Sequence, residues 1–139
     1  MSVVPISKNR TKRFGSNRTQ QVWDKTKGKC WYCGIDLLPP TSDESAPLEY
    51  VDQVFTMDHL TPLSKGGKKN DLGNLVPCCR RDNNLKANYD IEYLRMRLLF
   101  IQEDWPKFNP AQFDFLASRG IILSRIHPFQ FYFEREKLK

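Results

Sequence analysis

The side chains of this 139-residue sequence that could do chemistry fall into a cysteine set and an Asp-His pair. Cys30 and Cys33 lie in "KCWYCG", and Cys78 and Cys79 lie in "PCCRRDNN". Two thiolates at C-x-x-C spacing on a tight turn can grip one tetrahedral ion. The competing use, a thioredoxin-type redox pair, belongs at a strand-to-helix junction in a βαβ unit, and the chain shows no such unit. Adjacent residues of an extended segment point to opposite faces, so Cys78 and Cys79 should not both reach one ion. Cys79 with Asp82 restores the two-residue gap, and a carboxylate oxygen is an acceptable zinc ligand. The expected structural Zn²⁺ site is therefore Cys30, Cys33, Cys79 and Asp82. Cys78 is kept as an alternative ligand or a small buried hydrophobe, and four reduced, buried thiols are the plain alternative.

The second set is "DHLTPLSKGG", where Asp58 and His59 stand directly behind "YVDQVFTM", a run that reads as a buried strand over 51–57. Pro62, Ser64, Gly66 and Gly67 suffice for the turn that must follow. Neither ionisable group is needed to make it. Taken singly, Asp58-His59 could be turn residues, Asn74 a turn residue before a strand, and Asn83 a helix cap.

Taken in order, "TMDHLTPLSKGG" and "NLVPCCRRDNNLK", with C-x-x-C upstream, resemble the HNH endonucleases over about residues 30–95. The resemblance implies an α+β chain with a ββα-metal core. It implies that His59 is the general base that takes a proton from water, a task suited to the side chain that changes charge nearest neutrality. It implies that Asp58 and Asn83 hold one catalytic divalent ion, Mg²⁺ or Mn²⁺, whose Lewis acidity polarises the phosphate and stabilises the leaving oxygen. Asn74 would pin the long loop and so fix the His59 ring. Lys86, one helical turn after Asn83, would face the same phosphate. Two positions depart from the family pattern: Asp82 replaces the usual fourth cysteine, and the last motif residue is Asn rather than His, which suits a hard, oxygen-preferring ion.

These residues need elements to place them. Asn17 with Gln20 reads as a capping box opening a short helix with Val22 and Trp23 facing inward and Gly28 as its stop. "LVP" is a second strand, and "CRRDNNLKAN" begins a helix. "DIEYLRMRLLFIQ" is another, with Ile91, Leu94, Leu98 and Ile101 on one face. Asn109, Pro110 and Gly120 bracket a third, with Phe113, Leu116 and Ala117 as its buried stripe. "PFQFYFE" alternates Phe129, Phe131 and Phe133 and predicts a closing strand. The expected division is a basic arm over 1–16, a nuclease domain over 17–102 and a helix-strand extension over 103–139. His127 has no partner nearby in sequence and reads as a surface or packing residue.

Charge completes the picture. The net +6 is concentrated: residues 1–35 hold eight Lys/Arg and one acid, residues 36–58 hold six acids and no Lys or Arg, and residues 59–100 carry a net +4. Two basic blocks flanking an acidic insert are the electrostatic footprint of a nucleic-acid-binding protein, with an ordinary solvated basic surface as the plain alternative. The family resemblance implies that the partner is double-stranded DNA, met through its phosphates. The arm and "SKGGKK" are the expected contacts, which position DNA without reading sequence. The resemblance further implies that a monomer nicks and that a homodimer or paired nicks would be needed to cut both strands. No run approaches a bilayer-spanning length and the N-terminus lacks a signal-peptide core, so a cytoplasmic location and no membrane partner are expected. A non-catalytic zinc module that binds DNA or protein is the alternative.

Overall fold

The computed structural model describes residues 16–39, 48–123 and 128–138. The basic arm before Ser16, residues 40–47 of the acidic insert and His127 lie outside them.

Helix α1 spans Asn17–Asp24 and buries Val22 and Trp23, as the pattern predicts. Its cap is Ser16 rather than Asn17: the Ser16 hydroxyl accepts the Thr19 amide proton at 3.2 Å. A serine oxygen one position earlier satisfies the same orphan N–H groups, so residue 16 belongs to the helix and not to the arm. The predicted strand over 51–57 is displaced. Leu48–Gln53 is a 3₁₀ helix, and strand β1 runs Phe55–His59. Asp58 and His59 are thus strand residues, not residues behind one.

Strand β2, Leu75–Cys79, pairs antiparallel with β1, setting Phe55 opposite Cys79, Asp58 opposite Val76 and His59 opposite Leu75. Helix α2, Arg80–Lys86, follows without a loop because Cys79 is its N-cap. Helix α3, Ile91–Gln102, is capped by Asp90. It buries Leu94, Leu98, Leu99 and Phe100, whereas Ile101, expected on the inner face, is 51% exposed. Near the helix end the inward position passes to Phe100, which meets Trp105, Phe108 and Phe113 at centroid separations of 5.1 to 5.2 Å.

Helix α4, Pro110–Ser118, has the predicted Asn109 cap completed by Gln112. Its expected buried stripe is absent: Phe113 and Leu116 are half-buried and Ala117 is exposed. The Phe113 ring ties it to the aromatic side chains Tyr93 and Phe100 of α3. The closing strand predicted from "PFQFYFE" is also not formed, since Tyr132–Arg135 is a short helix, α5. The N–H groups a strand would pair are already committed: Phe131 to the Glu134 carboxylate at 2.9 Å, Tyr132 to the Tyr32 carbonyl at 2.7 Å and Phe133 to the Trp31 carbonyl at 3.0 Å. Phe129, Phe131 and Phe133 nevertheless do what the alternation implied, packing on one core with Trp23, Tyr32, Phe55 and Leu94. No helix among the described residues is long and apolar enough to cross a membrane.

The result is a two-stranded sheet with α2 laid across one face, a mixed helix and antiparallel-strand architecture of the ββα kind.

Candidate active site and metal cluster

The C-x-x-C turn and the start of α2 meet at one point. One ligand atom from each of Cys30, Cys33, Cys79 and Asp82 lies within 4.8 Å of the others, so the group could hold a metal ion. The separations suit a tetrahedron. Two sulfurs each about 2.3 Å from one ion stand about 3.8 Å apart, and sulfur to oxygen about 3.5 Å. Cys33 Sγ and Cys79 Sγ are 3.8 Å apart, and Cys30 Sγ and Asp82 Oδ2 are 3.4 Å apart. The surrounding donors fit ligating thiolates: the Cys79 N–H points at Cys30 Sγ and the Asp82 N–H at Cys79 Sγ, each at 3.4 Å. Arg81 covers the other Asp82 oxygen at 3.0 Å. Burial and the charge of Cys30 raise the Asp82 carboxyl to about 6. Burial acts against ionisation of Cys30 too, but hydrogen bonds from the Cys33, Cys78 and Cys79 thiols outweigh it and bring that thiol well below its ordinary range. Cys78 borders Cys30 without joining the four.

Side chains two apart on a strand share a face, so Thr56 and Asp58 both look toward α2. Asn83 and Lys86, one turn apart on α2, come down on them in register. The amide Nδ2 of Asn83 is 3.0 Å from Thr56 Oγ1, and Lys86 Nζ is 3.2 Å from Asp58 Oδ2. The Thr56 hydroxyl has one proton, and it goes to the Cys78 carbonyl at 2.7 Å. Toward Asn83 it can only accept, which fixes the amide orientation. Asn83 Oδ1, the atom a hard cation would use, is left without a hydrogen-bond partner among the described residues.

Asp58 is 5% exposed. Its Oδ2 accepts the Tyr32 hydroxyl at 2.6 Å. Burial lifts its carboxyl above the usual range, against the opposing pull of Tyr32, Lys86 and His59. The Tyr32 phenol is pushed far up by burial and by the neighbouring Asp58 charge, so it remains a donor. Lys86 is fully buried and also donates to the His59 carbonyl at 2.8 Å. That placement corrects the expectation that Lys86 faces a phosphate: its ammonium is enclosed between Asp58 and the backbone of His59.

At the end of β1, His59 Nε2 lies 3.0 Å from the carbonyl oxygen of Lys69. A carbonyl cannot donate, so Nε2 carries the proton. In the neutral ring Nδ1 then holds the lone pair, and it has no hydrogen-bond partner among the described residues. The carbonyl is held in place by Asn74, which accepts the Thr61 N–H at 2.8 Å and donates to the carbonyls of Thr61 and Lys68 at 3.1 and 3.2 Å. Lys25, the C-cap of α1, locks the same turn, donating to the carbonyls of Leu72 and Leu75. Gly67 lies so close to the loop's start that a Cβ there would stand 1.8 Å from Thr61 O.

The structure therefore brings Cys30, Cys33, Cys79 and Asp82 together, and sets Asp58, Asn83 and Lys86 along one β1–α2 seam. Among the described residues no hydrogen bond or ion pair joins Asp58, His59 and Asn83 directly. Tyr32 and Thr56 escaped the sequence reading. Tyr32 sits inside the C-x-x-C itself, where tyrosine reads only as core, and Thr56 reads only as a strand former.

Neither the curated proteins nor the solved structures yield a match to the chain. A family model described as HNH endonuclease matches residues 30–88, the span that holds both strands, α2, the cysteine cluster and the Asp58–Asn83 seam. With that architecture and that match, residues 30–88 are similar to the HNH endonuclease family.

Proposed function

We propose that the chain is a metal-dependent DNA endonuclease that hydrolyses phosphodiester bonds. The observation that carries this reading is the His59 tautomer. A ring proton spent on the Lys69 carbonyl leaves Nδ1 as a bare base at the strand end. Asp58 and the free Oδ1 of Asn83 are the oxygen donors for a catalytic Mg²⁺ or Mn²⁺, and two protein ligands leave positions for water and phosphate. When bound, such an ion supplies Lewis-acid stabilisation of the phosphate and the leaving oxygen. His59 Nδ1 takes the proton of the attacking water. Asn74 holds the loop that holds the ring. Lys86 balances the buried Asp58 charge and, through the His59 carbonyl, fixes the end of β1. The Cys30, Cys33, Cys79 and Asp82 cluster is a structural Zn²⁺ site, and the basic segments meet DNA phosphates.

A second reading has one observation in its favour. Tyr32 and Lys86 already occupy both oxygens of Asp58, as they would in a non-catalytic DNA- or protein-binding module where Lys86 is a permanent counter-ion. Incubating supercoiled plasmid with the protein in Mg²⁺, Mn²⁺ or EDTA separates the two. We expect metal-dependent nicking, abolished by His59→Ala and strongly reduced by Asn83→Ala. DNA binding without cleavage in either ion would establish the module instead.

A further inference from the structure

Tyr32 lies between two ligands of the cysteine cluster, yet its hydroxyl leaves the cluster and ends on Asp58 Oδ2 at 2.6 Å. The ring is 1% exposed and is held edge-on by Phe131 at 5.2 Å. The backbone on either side is also tied down: Trp31 N–H donates to the Pro77 carbonyl at 2.8 Å, and the Tyr32 carbonyl accepts from Tyr132. A phenol on so fixed a backbone has few ways to reposition if the turn opens. Asn83 is tied to the same cluster from the other side. It follows Asp82 directly on a helix whose cap is Cys79, and its amide is oriented by Thr56, whose proton goes to the carbonyl of Cys78. Both oxygen donors of the seam are thus set by residues adjoining the four-ligand group.

We propose that Tyr32 is a positioning residue that couples the Cys30–Cys33–Cys79–Asp82 cluster to divalent-ion binding at Asp58 and Asn83. This rests on the nuclease reading of those two residues. A cluster closed around its metal fixes the C-x-x-C turn, the turn fixes the phenol, and the phenol holds Asp58 Oδ2 in place. Partners of metal ligands typically govern about 10- to 100-fold in metal affinity.

The test uses the full chain loaded with zinc. Mn²⁺ binding is measured by calorimetry without DNA for wild type, Tyr32→Phe and Asp58→Asn, with zinc content and circular dichroism recorded alongside. Tyr32→Phe keeps the ring and its contact with Phe131. We expect it to retain its zinc and its spectrum but to bind Mn²⁺ about tenfold more weakly, with the half-saturating Mn²⁺ for nicking rising in step. Equal Mn²⁺ affinity in zinc-loaded Tyr32→Phe and wild type overturns the coupling and leaves the nuclease reading standing. A wild type whose Mn²⁺ titration matches that of Asp58→Asn overturns both. Should Tyr32→Phe fail to hold zinc, the wild type decides alone. Coupling is reciprocal, so saturating Mg²⁺ must tighten zinc against a competing chelator in wild type and not in Asp58→Asn. Zinc affinity indifferent to Mg²⁺ overturns the proposal.

Discussion

Asn74 and Lys68 are joined at 3.2 Å from amide nitrogen to carbonyl oxygen, one residue before the carbonyl that receives the His59 ring proton. Removing that amide frees the loop without touching the imidazole. Asn74→Ala should lower nicking by about 100-fold, the scale of a misplaced catalytic group, while DNA affinity stays near wild type. Plasmid nicking and filter binding on one preparation check this. Full activity in Asn74→Ala would show that Lys69 does not set the ring.

Adjacent glycines in the same loop should behave differently. A Cβ on Gly67 meets Thr61 O, whereas one on Gly66 meets nothing within 4 Å and suffers only from its φ of 90°. Gly67→Ala must push the loop from its anchor, an overpacking cost of about 1–3 kcal/mol, and nicking should fall with it. Gly66→Ala should show the smaller thermal shift and keep most activity. Thermal melts and nicking assays of both variants distinguish the steric cause from a general loop effect.

The Asp82 carboxylate is the weakest member of the cluster as a soft-metal ligand. Asp82→Cys should hold zinc more tightly than wild type, read as slower loss to a chelator, and Asp82→Ala should lose it faster. Stripping the metal should lower the melting temperature of wild type. A wild type purified without zinc, and indifferent to added zinc, would refute the structural role.

Arg95 bridges α3 to the C-terminal segment, bonding Glu134 through Nη1 and Nη2 at 2.6 and 2.9 Å and the Phe129 carbonyl at 2.6 Å. That hydrogen-bonded guanidinium holds the Glu134 carboxyl below its ordinary value. A depressed carboxylate contributes stability above its unfolded value, about 4.3, and loses it as pH falls through the folded one. Wild type should therefore lose stability more steeply than Glu134→Gln below about pH 4.5. Denaturant midpoints at pH 7 and below check the slope, and parallel curves would deny the ion pair any share.

The basic N-terminal segment is tested by deletion of residues 2–15, which stops short of the Ser16 cap. DNA affinity should fall and its dependence on salt should flatten, because fewer counterions are released. An unchanged salt slope would remove the segment from the DNA interface.

Much of this was legible from the residues themselves. The cluster could be named because ligand spacing is a local property, and the strand-loop-strand-helix order survived because the motif residues punctuate it. What was hidden depends on partners remote in sequence. The strand of "YVDQVFTM" slides toward its C-terminal end because Leu38 takes the Phe55 N–H and Cys79 stands opposite Phe55. "PFQFYFE" alternates like a strand, yet its N–H groups are claimed by Tyr32, Trp31 and Glu134. Lys86 three residues after Asn83 could be placed on the right face, but its burial against Asp58 depends on how closely α2 approaches β1, which no periodicity reports.

Because the backbone of residues 132 and 133 donates directly to the C-x-x-C turn, residues 128–138 behave as a clasp on the cysteine loop. A shortened unit cut at residue 102 would leave Tyr32 without the phenylalanine it leans on. Any fusion or chimera built from this scaffold must therefore carry residues 128–138 along.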